Sequence, residues 1–388
     1  MINNILDYSK CSNCTACVNI CPKDAISVVK NRTFYELSVN SELCVNCGKC
    51  KDICPVNNPH DVQKIYSAFG GYSRDPEIVK NSSSGGAFST LADYILRCGG
   101  IVYGAAYENN FREVCITSTK AVSIDDLRRS KYVESYVGYS FREIKKELEQ
   151  GKQILFCGAP CQVAGLKRYL NKEYTNLLTC DFSCGGMPSH KFYDKYINKI
   201  EEKLQSPVTN VNFRPKIFGW RQYAIEITGQ NGKKYKNFDL SDPYFYSFLY
   251  NRNSMREYCY SCDFSDNHYS DIILADFWLS GTVSHIPDNN TGISLILTNS
   301  EKGEKFITTA LKNFSLTILD TDAASYNLVK KIATKERMDK RQKFISVFEN
   351  EGYDKAVHNI KIANKYMLVI KYYLKKLIGR ICINESKK

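Results

Sequence analysis

CSNCTACVNICP (residues 11–22) and CVNCGKCKDICP (residues 44–55) decide how this chain is read. Each places four cysteines at the spacing C-x2-C-x2-C-x3-C and closes on a proline. The first run is Cys11, Cys14, Cys17, Cys21 and Pro22; the second is Cys44, Cys47, Cys50, Cys54 and Pro55. The short gaps let one tight loop turn three thiolates towards a single four-iron cubane, and the fourth cysteine is carried away to the other cluster. That assigns Cys11, Cys14, Cys17 and Cys54 to one 4Fe–4S cluster, and Cys44, Cys47, Cys50 and Cys21 to a second. Two zinc sites are the competing reading, and two full copies with both prolines argue against it. A cubane changes charge by one electron with little change of shape. Residues 1–60 are therefore expected to form a small ferredoxin-like 2x(4Fe–4S) module for electron transfer.

The rest of the chain must be a larger body. At 388 residues it suggests two or three units. Apolar residues at 43% and charged residues at 24% are ordinary for a globular protein with a real core. No run of eighteen apolar residues is present, so no transmembrane helix is expected. The opening MINNILDYSKC lacks the basic-then-apolar layout of a secretory signal, which points to the cytoplasm. In that reducing compartment the 17 cysteines read as metal ligands rather than disulfides. The formal charge of +12 counts every cysteine as neutral. An oxidised cubane with four thiolates carries about −2, so three clusters would leave about +6. The remaining surplus reads as a lysine-rich surface, since no nucleic-acid motif accompanies it.

Asn57, Asn58 and Pro59 mark a boundary. Beyond it, strand-like runs at 101–107, 153–157 and 271–277 alternate with helical patterns at 87–97 and 142–150. Residues 223–237 read as a hairpin closed at Asn231-Gly232. The fold expected is α+β multidomain: the module at 1–60, an α/β core over 65–330, and a lysine-rich helical extension over 331–388. Within the extension, KYMLVIKYYLKKLIGR (365–380) could lie on an anionic membrane surface as weak peripheral contact, or dock on the core; docking is the plainer reading.

Nine cysteines lie beyond the module, the last being Cys382. Cys98 and Cys115 suit buried apolar packing. Cys161 follows a strand and should open a helix, where the macrodipole favours a thiolate. Cys184 sits in the flexible CGGMPS loop, and Cys259 and Cys262 have the chelating spacing C-x2-C. Spacing alone leaves a third metal site open beside ordinary thiols.

The stretch from 65 to about 300 resembles the coenzyme F(420) hydrogenase/dehydrogenase beta subunit family. The segments that carry the likeness are NSSSGGAFSTLADYILRCGGIVYGAAY, SKYVESYVG, GKQILFCGAPCQVAGLKRYL, DFSCGGMPS, FRPKIFGW, CYSCDF and ADFW, in that order. The resemblance implies a flavin-binding core with FAD and a third 4Fe–4S cluster, with Cys161, Cys184, Cys259 and Cys262 as its ligands. Cys157 and Cys180 fall where the family pattern does not demand cysteine. Ala275 and Leu279 stand where the family has glycines flanking Asp276, Phe277 and Trp278, so ligand contacts there do not carry over; Trp278 reads as a core residue.

Ser83, Ser84, Gly85 and Gly86 precede a helical pattern. Serine can cap such a helix, and glycine lets backbone N–H groups approach an anion such as a pyrophosphate. On residues alone this is a plain helix cap; the resemblance turns it into a flavin contact. Lys131 is the second flavin candidate, since a cation there would stabilise a reduced, anionic ring. No GxGxxG follows a strand, so no nicotinamide site is expected. His190 and His268 lie near cluster cysteines, where either a proton donor or an ordinary surface histidine fits. The sequence names no catalytic residue. Two functions remain. One is an oxidoreductase moving electrons between clusters and a small organic acceptor through FAD. The other is a non-catalytic subunit handing electrons to a redox partner protein.

Overall fold

The computed structural model describes residues 8–59, 61, 64–284, 286–288, 290–328, 334–358, 360, 362–368, 370, 372 and 374. Its fourteen strands are β1 Ile26–Val29, β2 Glu36–Val39, β3 Ser67–Ser73, β4 Ile101–Glu108, β5 Glu113–Ser118, β6 Ser135–Tyr136, β7 Ile154–Cys157, β8 Leu177–Phe182, β9 Val208–Asn212, β10 Ala224–Gly229, β11 Lys234–Phe238, β12 Ile272–Asp276, β13 Ser294–Thr298 and β14 Phe314–Leu319. Nine of them form one sheet in the order β14-β3-β13-β12-β8-β7-β4-β5-β6. Its centre, β12-β8-β7-β4, is parallel, and antiparallel strands flank it on both sides.

The central strands are short apolar runs, as a sheet covered on both faces requires. Alternate residues divide cleanly between the faces. Val102, Leu155, Leu178 and Ile272 meet Leu91 and Ile95 of the helix Ala87–Arg97. Tyr103, Ile154 and Phe156 meet Phe141 and Ile144 of the helix Ser140–Glu149, with Val163 and Leu166 of the helix Pro160–Leu170. A three-stranded sheet, β11-β10-β9, packs on the helix His190–Leu204 through an aromatic core that includes Phe192, Tyr193 and Phe213. Phe344 and Phe348 of the helix Lys335–Glu351 close that core.

The expected elements at 87–97, 101–107, 142–150, 153–157 and 271–277 are present within a residue or two, as is the β10–β11 hairpin. The core sheet is mixed rather than a plain βα alternation. Of the stretch 365–380, residues 369, 371, 373 and 375–380 lie outside the described residues, as does Cys382. Tyr366 and Met367 are exposed there, while Tyr372 packs edge-on to Phe218 at 5.1 Å. No helix among the described residues is long and apolar enough to cross a membrane.

The N-terminal segment pairs β1 with β2 and is seated on the larger sheet's body by buried polar contacts. Glu134 is the hub. It accepts from Arg256 Nε at 2.7 Å, from the Tyr35 amide at 3.0 Å and from His190 at 3.3 Å. His190 stacks on Tyr35 with ring centroids 3.8 Å apart and bonds the Lys30 carbonyl. Arg142 donates to the carbonyls of Asn19, Val18 and Cys21.

Candidate metal centres and cofactor site

Left-handed residues fold the two cysteine runs back on themselves: Asn13, Thr15, Asn46 and Gly48 all have positive φ. The Asn13 amide reaches Cys11 Sγ at 3.4 Å, and the Ala25 amide reaches Cys21 Sγ at 3.3 Å. Burial pushes the thiols of Cys11, Cys14 and Cys17 up, Cys14 to about 12, and for all three Cys54 adds to the shift. Cys54 therefore stands with the first run despite its place in the second. Cys50 is raised first by burial, with Cys47 and Cys44 adding. Cys11, Cys17, Cys21 and Cys50 all pack against Val18, Ile26 and Leu37, so the two runs share one small core.

A pocket next to this module is lined by Cys161, Cys184, Cys259 and Cys262, with Ser12 at its wall. Three separate segments supply its four cysteines. Cys161 sits in the first turn of the Pro160–Leu170 helix, which starts with proline at a position that has no helical N–H bond to lose. Cys184 follows β8 in a loop that needs glycine: Gly186 has φ +118, and a Cβ there would collide with Met255 Sδ. Cys259 lies in the short 3-10 turn Glu257–Tyr260, its sulfur accepting from the Met187 amide at 3.4 Å, and Cys262 follows two residues beyond that turn. Burial raises all four thiols, Cys259 to about 12, and Cys262 and Cys184 lead the neighbours that raise Cys161 further. Among the described residues, no three His, Cys, Asp or Glu side chains converge as they would on a single metal ion. A cubane spreads its thiolates around a four-iron body, so a shared pocket is the relevant geometry for it.

The glycine-serine turn differs from its expected role. The helix after it is capped by Gly86 at φ +93, without a side-chain cap. Ser84 Oγ donates to the Ile293 carbonyl at 2.7 Å, and the Gly85 amide donates to Ser294 Oγ at 3.0 Å. Ser83 Oγ accepts from the Ser130 amide at 2.8 Å. A Cβ on Gly85 would meet the Gly71 carbonyl oxygen at 2.5 Å, so close packing on β3 already requires glycine.

Cations surround this turn, and two of them, Arg129 and Lys216, escape a reading of the sequence. Lys216 Nζ donates to the carbonyls of Val79 and Ser84 at 2.6 and 2.8 Å, and Arg129 holds Asn81 through its carbonyl and side chain. Lys131 Nζ bonds the Arg128 carbonyl at 2.8 Å. Burial lowers both lysines to about 7, with Arg214 as the next cause at Lys216. Lys216 lies in FRPKIFGW, and no local pattern marks it because its partners are more than 130 residues away.

Several other candidates moved. His190 and His268 are both buried rather than on the surface, His268 bonded to Asp181 at 2.8 Å. Cys98 is exposed, because it is the cap residue after the Ala87–Arg97 helix, whereas Cys115 is buried as expected. Trp278 stacks on the buried Trp220 at 4.5 Å, and Asp276 accepts from Arg214 at 2.8 Å.

Residues 151–324 match the family model for the C terminus of the coenzyme F(420) hydrogenase/dehydrogenase beta subunit. Residues 10–58 match the 4Fe-4S dicluster domain. Among curated proteins, none matches this chain. Among solved structures, the chain is similar to one from the F(420)-reducing [NiFe] hydrogenase complex of Methanosarcina barkeri. The identity is 16%, the TM-score 0.44, and the match covers 76% of this chain and 96% of that one.

Proposed function

We propose that the chain is an iron–sulfur flavoprotein oxidoreductase of the coenzyme F(420) hydrogenase/dehydrogenase beta subunit family, a reading supported by the match of residues 151–324 to that family's C-terminal model and of residues 10–58 to the 4Fe-4S dicluster domain. It exchanges electrons with an organic acceptor, and it works in the cytoplasm, where thiols stay reduced. Its units are the two-cluster module at 1–60, the core at 65–330 and the helical extension at 331–388. The module's ligands are Cys11, Cys14, Cys17 and Cys54 for one cluster, and Cys44, Cys47, Cys50 and Cys21 for the other.

The four-cysteine pocket beside Ser12 carries this reading. Cys161, Cys184, Cys259 and Cys262 fit a third cubane: all are thiols, all face one pocket, and Cys161 Sγ lies 3.9 Å from the Ser12 carbonyl of the first cluster's loop. Electrons leaving the module therefore have a short protein path into the core.

The flavin contact rests on Arg129, Lys131 and Lys216 rather than on the Gly85 amide, which is already spent on Ser294. Half-buried cations with few carboxylate partners suit the phosphates of a dinucleotide. FAD, when bound, pairs one-electron arrivals into a two-electron transfer to the acceptor. The residues on this side of the sheet bind and orient; Lys131 and Lys216 add positive charge below neutral pH.

Anaerobic purification with iron, sulfide and flavin analysis tests the reading. Three cubanes give about twelve iron and twelve sulfide per chain, at about four of each per cluster, with one FAD. Eight iron would remove the core cluster. Full iron without flavin, even after reconstitution, would favour the electron-transfer subunit that serves a partner reductase.

A further inference from the structure

Cys157 and Cys180 are Cα partners on the adjacent parallel strands β7 and β8. Registered residues of parallel strands point to the same face, and both pack into the apolar layer beneath the Ala87–Arg97 helix. Neighbouring strands run about 4.8 Å apart, inside the roughly 4.4–6.8 Å of Cα separation that a disulfide spans. The Cys180 thiol donates to the Asp181 carbonyl at 3.6 Å, and the neighbouring Cys157 thiol together with burial pushes Cys180 well up. Cys157 is partly exposed and Cys180 is fully buried. Neither thiol belongs to a cluster set.

We infer that Cys157 and Cys180 form a redox-active dithiol that closes to a disulfide by exchange with a low-molecular-weight disulfide. The Cys157 thiolate attacks one sulfur of the small disulfide, forming a mixed disulfide and expelling one small thiolate. Cys180 then attacks the Cys157 sulfur and expels the second. Two protein thiols are oxidised, one small disulfide is reduced to two thiols, and the two protein protons end on the leaving thiolates. The partly exposed member makes the first attack and the buried one resolves it. Each thiol lies four residues before a cysteine of the core pocket, Cys157 before Cys161 and Cys180 before Cys184. Closing the bond thus fixes the strand ends from which two pocket walls depart.

The test uses the anaerobic holoprotein, incubated with oxidised glutathione, quenched in acid, alkylated and digested. A peptide linked through Cys157 and Cys180 should accumulate, reverse with dithiothreitol, and leave iron and sulfide content unchanged. In Cys180→Ala the link is lost and Cys157 accumulates a glutathione adduct, because the resolving thiol is gone. Cys157→Ala should show neither link nor adduct at Cys180. Both thiols alkylated separately in the wild type would overturn the dithiol. A stable adduct on wild-type Cys157 without the link would overturn the pairing. Links appearing only as iron is lost, and among cluster cysteines equally, would also overturn it.

Discussion

A Cβ placed on Gly165 would stand 2.9 Å from the Cβ and 3.0 Å from the Sγ of Cys14, a cysteine 151 residues earlier in the chain. Gly165 lies one helical turn after Cys161, on the helix that opens the core pocket. The first cysteine run therefore sits directly on the core, held there by the absence of a single side chain.

That contact predicts a selective lesion. Gly165→Val should push Cys14 out of place, because backbone helix and loop on either side cannot both yield. Overpacking of this kind costs about 1–3 kcal/mol. Iron content should fall by one cluster's worth, and the spectrum of the cluster held by Cys44, Cys47 and Cys50 should persist. Full iron with an unchanged spectrum in Gly165→Val would show that Cys14 is not a ligand at this place.

The buried Glu134–Arg256 pair predicts how the module is kept docked. Burial alone would raise the Glu134 carboxyl, but Arg256 and His190 hold it below the usual carboxylate range. A depressed acid contributes stability above its ordinary pKa and loses it as pH falls through the depressed value. The docked module should therefore loosen in acid. Arg256→Ala strands a buried carboxylate and should cost about 3–5 kcal/mol. Thermal melts of wild type and variant between pH 7 and pH 4 would check both. A variant as stable as wild type at pH 7 would count against this pair as the anchor.

The proposed crossed ligation predicts which cluster each fourth cysteine serves. Cys54 acts on Cys11, Cys14 and Cys17, so Cys54→Ser should perturb the cluster of the first run. Cys21→Ser should perturb the cluster of the second. Electron paramagnetic resonance of the reduced variants would tell them apart. Loss of the sequence-adjacent cluster in each case would reverse the assignment.

How far the sequence reached depended on the range of the interaction. The cysteine runs were legible because a cubane loop is built within a dozen residues. The Ala87–Arg97 helix was legible for the same reason, its apolar face repeating along one short segment. Glu134 lay in plain view within SKYVES, yet its role depends on Arg256, Tyr35 and His190, which arrive from three other segments. Gly85 was legible as a glycine that permits close approach. What approaches it is β3 through Gly71, a strand pairing that no local pattern encodes. For that reason Gly85→Val would disturb the sheet before it disturbed any ligand, and it cannot isolate a flavin contact.

The lysines give a cleaner test of the proposed flavin site. Burial holds Lys131 and Lys216 near 7, far below the ordinary 10.5. Below about pH 7 both carry charge and attract phosphate; above it they are neutral and the attraction fades. FAD affinity should therefore fall as pH rises from about 6 to 8.5, and an anion once bound should pull both lysines back towards their ordinary value. Stability without ligand should run the opposite way. Between about 7 and 10.5 the unfolded lysines hold protons that the folded ones have released, so stability rises with pH across that window. Lys131→Met keeps the length and apolar stem of the side chain and removes the charge. It should weaken FAD several-fold at pH 6, change little at pH 8.5, and flatten part of the stability slope. Flavin fluorescence titration and denaturant melts over the same pH range measure both trends. An affinity independent of pH, or a Lys131→Met protein with the wild-type slope in both measurements, would remove these cations from the flavin site.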